Sequence, residues 1–353
     1  MKRFASLTAL LAIAACGGAE APYQTREITD EERAEARAYL EDQTPLPEGW
    51  SFDIIPYAED GFLRVGLATP ENPRATVMFV PGYTSSPELA SDFLSRWYEL
   101  GFEVASLDLP GQGGSMRRSD DYQKTYTGDF SFYGGAVDQA TEHLANVRQS
   151  DGPLIVAGDS FGGHAVLRAA SDGGAEEADG LFPLVPAVEP NLAGPKWLVK
   201  FLVGDQIRSG HATRYLSGGG QWNPDAHKEY EWENCGNRPE RNLKNTALQT
   251  LNPELRVGGA TNEWGLGMVV SGEKMLRSRK LRDYSKPVAL LTAGKDTIVR
   301  NGPAEKLCTG TMATCQVVRL EEATHCLYLE DQPTQDKVHD ALLALLKRID
   351  PEA

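Results

Sequence analysis

Short apolar runs alternate with longer amphipathic stretches over most of this chain. Ala75–Val80, Glu103–Leu107, Pro153–Ala157, Val288–Ala293 and Gln316–Leu320 are near-continuous apolar segments, with Leu181–Val185 a weaker one. Runs of that length and character predict strands buried on both faces. Between them, Pro87–Leu100, Phe132–Gln149, Ser160–Ala170, Pro303–Leu307 and Thr334–Arg348 carry helical spacing. Strands alternating with helices predict an α/β fold, a mostly parallel, doubly wound sheet covered on both faces. Ahead of it, Ser51–Tyr57 and Phe62–Ala68 flank the turn Asp60-Gly61 and predict an antiparallel hairpin. Thr29-Asp-Glu-Glu32 is a capping box that opens a helix to about Asp42, stopped by Pro45 and Pro47.

The rhythm breaks over residues 189–284, which are rich in Gly, Asn and Trp and predict short helical patches without clear strands. The segment divides the fold into a first core part, 29–188, and a second, 285–353. It is expected to fold over the C-terminal edge of the sheet as a lid, where open α/β sheets bind ligands. Lys196-Trp-Leu-Val-Lys-Phe-Leu-Val203 is apolar for a lid. It either lines an acyl tunnel or touches a membrane, or it packs as an ordinary core helix. The same alternatives apply to Trp222, Trp232 and Trp264.

Composition narrows the partners. At 353 residues the chain suits one large α/β domain or two smaller ones. A net charge of −15 argues against a nucleic-acid partner, which needs a clustered basic face. Lys2 and Arg3 precede an apolar stretch, Phe4–Ala15, too short to span a bilayer, which reads as an export signal over residues 1–15. Its end, Ile13-Ala14-Ala15-Cys16-Gly17-Gly18, resembles the lipobox of bacterial lipoproteins. That resemblance implies lipidation of Cys16, a tether over residues 16–28, and a chain anchored at the membrane of the bacterial cell envelope. In such a compartment disulfides form. The short spacing of Cys308 and Cys315 makes them the simplest pair, leaving Cys235 with Cys326; free, partly buried thiols are the alternative. No C-x-x-C or H-E-x-x-H spacing is present, so neither a metal site nor another cofactor is expected.

The candidate chemistry centres on Gly158-Asp159-Ser160-Phe161-Gly162, which fits G-x-S-x-G between a strand and a helix. A serine hydroxyl becomes a useful nucleophile only beside a base, and that base needs a third group to fix its tautomer. Asp296 falls just past the strand Val288–Ala293, and His325 just past Gln316–Leu320. Ser160, Asp296 and His325 are thus expected at one edge of the sheet, with Glu189 or Asp205 as competitors for the acid. An oxyanion would be met by the backbone N–H of Phe161 and by that of Tyr83, in the loop after the strand Ala75–Val80.

These residues, with three further stretches, resemble the α/β-hydrolases of the monoacylglycerol lipase and lysophospholipase group, classified with the serine aminopeptidases. Leu107-Asp-Leu-Pro-Gly-Gln-Gly-Gly-Ser115 is similar to that group's D-x-x-G-H-G-x-S loop, and Ala323-Thr-His-Cys-Leu-Tyr-Leu-Glu330 to its histidine loop. Asn252-Pro-Glu-Leu-Arg-Val-Gly-Gly-Ala-Thr-Asn-Glu-Trp264 is similar to a cap stretch of bacterial L2-type lysophospholipases. The likeness runs from about residue 50 to the end. Pro81, Asp159 and Gln112 stand where the group usually has histidine. The resemblance implies a serine hydrolase that cleaves lipid or other small carboxylic esters through an acyl-enzyme. A peptidase or amidase, with Glu229, Glu231 and Glu233 meeting a substrate amine, is the first alternative. A non-catalytic lipoprotein that binds a ligand on a hydrolase scaffold is the second.

Overall fold

The computed structural model describes residues 25–125, 127–225, 235, 236 and 239–352. The expected lipidation at Cys16, the export signal, the glutamates 229, 231 and 233, and Trp232 all lie outside these residues.

Eight strands form one sheet in the order β1-β2-β4-β3-β5-β6-β7-β8. They are β1 Ser51–Tyr57, β2 Gly61–Ala68, β3 Ala75–Val80, β4 Phe102–Leu107, β5 Leu154–Asp159, β6 Gly180–Leu184, β7 Val288–Ala293 and β8 Cys315–Leu320. From β4 to β8 every neighbouring pair is parallel, while β1 and β2 join antiparallel at one edge. This is the fold of an α/β-hydrolase.

Side chains alternate across the strands, and the two faces feed two cores. Along β3, Met78 and Val80 join one core and Val77 and Phe79 the other. The first core is closed by α3 (Ser131–Val147) and α4 (Phe161–Asp172), the second by α2 (Ser91–Glu99) and α10 (Gln332–Ile349). Strands β3, β4, β5 and β7 are buried along their whole length, which is why they read as near-continuous apolar runs. Fully burying each such Leu, Val or Phe contributes roughly 1.5–3 kcal/mol.

The insertion between β6 and β7 differs from the expected short patches. It contains α5 (Lys196–Arg208), α6 (Pro239–Leu251), α7 (Asn262–Met275) and the short α8 (Arg279–Asp283), so three of its helices run for 13 or 14 residues. The tether is also shorter than expected. The Thr25 hydroxyl donates to Trp222 O at 2.8 Å, Arg26 bridges Glu32 and Asp225, and Ile28 is buried. Residues 25–28 therefore belong to the fold, because they satisfy polar groups of the insertion. The capping box at Thr29 and Glu32 starts α1 (Asp30–Glu41), which lies against α6.

Among the described residues α9 (Asn301–Thr311) and β8 are joined by the Cys308–Cys315 disulfide, with Cα atoms 5.2 Å apart. A second disulfide joins Cys235 to Cys326.

Candidate active site

The turn from β5 into α4 holds Ser160 at φ 52° and ψ −110°, a conformation seldom adopted by a residue with a Cβ. The surroundings enforce it. Ser160 N donates to Leu184 O at 2.9 Å, and its carbonyl accepts from His164 N at 2.9 Å and Ala187 N at 3.0 Å. The turn closes this tightly only with glycine at 162, where a Cβ would sit 1.9 Å from Val80 O.

Asp296 follows β7 and His325 follows β8, so parallel neighbours deliver both to the edge where β5 ends. His325 Nε2 is 2.7 Å from Ser160 Oγ, and His325 Nδ1 is 2.7 Å from Asp296 Oδ2. The other carboxylate oxygen, Oδ1, accepts from Ile298 N at 2.8 Å and Val299 N at 2.9 Å. One oxygen thus anchors the aspartate and the other meets the imidazole. The Asp296 side chain is fully buried and that of His325 nearly so. With Nδ1 donating to the carboxylate, Nε2 is left to accept a proton from the serine hydroxyl. The two competing acids are engaged elsewhere: Glu189 pairs with Lys196 and Arg300, and Asp205 pairs with Arg208 on α5.

The loop after β3 passes close over the serine, and a Cβ at Gly82 would lie 3.3 Å from Ser160 Cβ. Its Gly82–Tyr83 peptide is fixed by its carbonyl, which accepts from Gln112 Nε2 at 2.7 Å and from Ser85 N at 3.2 Å. The carbonyl and the N–H of a trans peptide point in opposite directions, so holding one aims the other. Among the described residues neither the Tyr83 nor the Phe161 amide donates to another backbone group. The half-buried Tyr83 ring packs against Trp264, with ring centres 4.5 Å apart, and its hydroxyl lies 2.8 Å from Thr125 Oγ1 and donates to Gly258 O at 3.1 Å. Trp264 and Trp222 are thus core residues of the insertion.

Gln112 stood out in the sequence only as a departure from the family's histidine, and its hold on Gly82 was not readable there. Asp159 is the second such residue. Its side chain is buried, Oδ1 has no hydrogen-bond partner, and Oδ2 lies 3.0 Å from where a Gly82 Cβ would be. Burial pushes its carboxyl up to about 7; His325 opposes that shift and Asp296 adds to it.

The family described as serine aminopeptidase, S33, matches residues 71–332, which span strands β3 to β8 and the whole insertion. The chain belongs to this hydrolase family. Solved structures agree on the fold. A soluble variant of the Saccharomyces cerevisiae monoglyceride lipase, bound to a substrate analogue, superposes with a TM-score of 0.66 at 14% identity, covering 94% of this chain and 99% of that one. A monoacylglycerol lipase from Paleococcus ferrophilus gives 0.60 at 17% identity over 82% and 99%. A putative aryl esterase from Burkholderia cenocepacia gives 0.58 at 15% identity over 84% and 99%. No curated protein sequence matches the chain. As an S33-family hydrolase it carries an insertion at the usual ligand-binding edge of an open α/β sheet. Among the described residues no group of three His, Cys, Asp or Glu side chains is placed to hold a metal ion. No described helix is long and apolar enough to cross a membrane.

Proposed function

We propose that this S33-family hydrolase is a serine esterase that cleaves single-chain lipid esters, lysophospholipids or monoacylglycerols, at a bilayer surface. The observation that carries the reading is the continuous relay Ser160 Oγ–His325 Nε2–Nδ1–Asp296 Oδ2, each link 2.7 Å long. In this reading His325 takes the hydroxyl proton while Ser160 Oγ attacks the ester carbonyl. The tetrahedral oxyanion is met by the N–H groups of Tyr83 and Phe161, and its collapse expels the alcohol, protonated by His325. Water then repeats the sequence on the acyl-enzyme, with His325 as base, and releases the fatty acid.

Support for a lipid-like substrate comes from two sides. Two of the solved structures described above are lipases of monoacylglycerols, one bound to a substrate analogue. On the insertion, Trp197 and Phe201 are 71% and 60% exposed, one turn apart on α5. A lipidated Cys16, nine residues ahead of Thr25, would hold the enzyme within about 30 Å of the membrane.

The test is a substrate panel with an active-site probe. A fluorophosphonate is expected to label Ser160, and long-chain lysophospholipid or monoacylglycerol to be cleaved in preference to amino-acyl amides. Ser160→Ala and His325→Ala are each expected to lower kcat/KM at least ~10³-fold, since triad members act as one unit. Cleavage of amides alone would return the peptidase reading, and an unlabelled serine with no hydrolysis would leave a binding protein on a hydrolase scaffold.

A further inference from the structure

His325 is gripped from both sides by the insertion. Cys326, the next residue, is bonded to Cys235, 91 positions away. On the other side, Thr324 Oγ1 accepts from Gly236 N at 2.7 Å. Gly236 has φ +79°, and a Cβ there would lie 2.7 Å from Leu329 Cβ and 2.8 Å from Leu329 O. Residues 235 and 236 are thus pressed onto the turn that follows the histidine. From the core side, Glu330 Oε1 accepts from Thr324 N at 2.6 Å and from Thr324 Oγ1 at 2.5 Å. The imidazole stands in the middle of a three-residue arch, Thr324 to Cys326, with one end hydrogen-bonded and the other covalently fastened.

We infer that the Cys235–Cys326 bond is a positioning device that holds His325 in line with Ser160 and Asp296, so that the hydrolase becomes competent only when its thiols are oxidised. The inference rests on the serine-hydrolase reading above. Misplacing a catalytic group by about 1 Å costs on the order of 10²-fold in rate. Among the described residues, what remains from the insertion side without the bond is the hydrogen bond from Gly236 N to Thr324 Oγ1. The Cys308–Cys315 bond holds none of these loop residues; it joins α9 to the start of β8 across a sequence separation of 7.

The chemistry is ordinary thiol–disulfide exchange. One thiolate attacks a disulfide of an exchange partner, the second displaces the mixed disulfide, and the partner leaves as a dithiol carrying the two electrons and two protons this chain has lost. A reducing compartment runs the exchange backwards. The export segment read at residues 1–15 would carry the chain from a thiol-reducing compartment to an oxidising one. The precursor would then be nearly inactive toward lipids until it has been exported.

The experiment uses the oxidised full chain, a soluble short-chain ester and a fluorophosphonate. Cys235→Ala with Cys326→Ala is expected to lower kcat and the phosphonate labelling rate ~10–100-fold, with KM changed less than about threefold. Cys308→Ala with Cys315→Ala is expected to stay within about twofold on all three measures. Wild-type protein titrated with dithiothreitol gives a second route, with alkylation and mass spectrometry reporting which bond has opened. Activity should fall with the Cys235–Cys326 bond while circular dichroism stays unchanged, and return on reoxidation. A folded Cys235/Cys326 variant with near-wild-type kcat would overturn the inference. So would loss of activity that coincides with global unfolding, or equal losses in the two variants. If oxidised wild type is not labelled at all, the serine reading itself has failed; if it is labelled equally before and after reduction, only the positioning role has.

Discussion

Asp159 is the residue whose placement runs most against ordinary burial. A carboxyl with one unpartnered oxygen, shut between the Ser160 turn and the Gly82 loop, costs least when protonated. Burial raises it to about 7; the facing His325 pulls it down and the facing Asp296 pushes it up. In the unfolded chain the same group titrates near the usual aspartate value of about 4. The folded state then holds the proton more tightly, so the stabilisation is complete below pH 4 and is lost as pH rises through 7. Asp159→Asn keeps the shape and removes the ionisation. Urea denaturation is expected to show the variant close to wild type at pH 4.5 and more stable by on the order of 3 kcal/mol at pH 8.5. A stability difference that does not change with pH would mean that Asp159 is ionised throughout and has a partner.

At the scale of elements, α4 and α7 are tied by a closed polar network behind Ser160. Ala187 O can only accept, so His164 Nδ1 carries the proton at 2.8 Å, and Nε2 accepts from Ser271 Oγ at 2.8 Å. Arg168 Nη1 in turn donates to Ser271 Oγ at 3.0 Å. Burial pulls His164 down to about 4; the Ala187 carbonyl opposes this and Arg168 adds to it. Its folded value lies below the unfolded one of about 6.5, so its contribution is present above pH 6.5 and lost as pH falls toward 4. His164→Asn retains a donor for Ala187 O and abandons Ser271. It is expected to cost about 1–3 kcal/mol at pH 7.5, and its deficit against wild type should narrow at pH 5. A deficit that widens in acid would show that wild-type His164 is charged when folded.

The same elements show what a single sequence discloses. The strands, the hairpin and the positions of Ser160, Asp296 and His325 at strand ends were all readable, because buried parallel strands announce themselves as apolar runs and each residue follows one. The insertion was harder. No residue of α5 is fully buried, so it presents no clean apolar stripe. In α7, Gly272 reads as a helix breaker but is there because Val188 O would be 1.9 Å from any Cβ. The hold of Gln112 on the Gly82 carbonyl is hidden in the sequence for a topological reason. Only the sheet order, with β4 beside β3, brings the loop after one against the loop after the other.

For the whole molecule, net charge and the exposed face of α5 pull in different directions at a lipid surface. At −15 the chain is repelled by anionic headgroups within a Debye length of about 8 Å at physiological salt. Trp197 and Phe201 stand exposed on α5, while Lys196 and Lys200 on the same helix are paired with Glu189 and Glu273. Burying such a ring is worth roughly 1.5–3 kcal/mol, enough for each of the two to change surface residence by about ten- to a hundredfold. Trp197→Ser with Phe201→Ser is therefore expected to lower hydrolysis of a long-chain ester in zwitterionic vesicles at least ~10-fold, while cleavage of a soluble short-chain ester stays within about twofold. On anionic vesicles the wild type should be slower and should recover with added salt, because screening removes the repulsion and leaves the apolar contact intact. Equal losses on soluble and vesicle substrates would place the two rings in the acyl pocket or the folding core. No loss on either would mean that α5 faces water throughout the reaction.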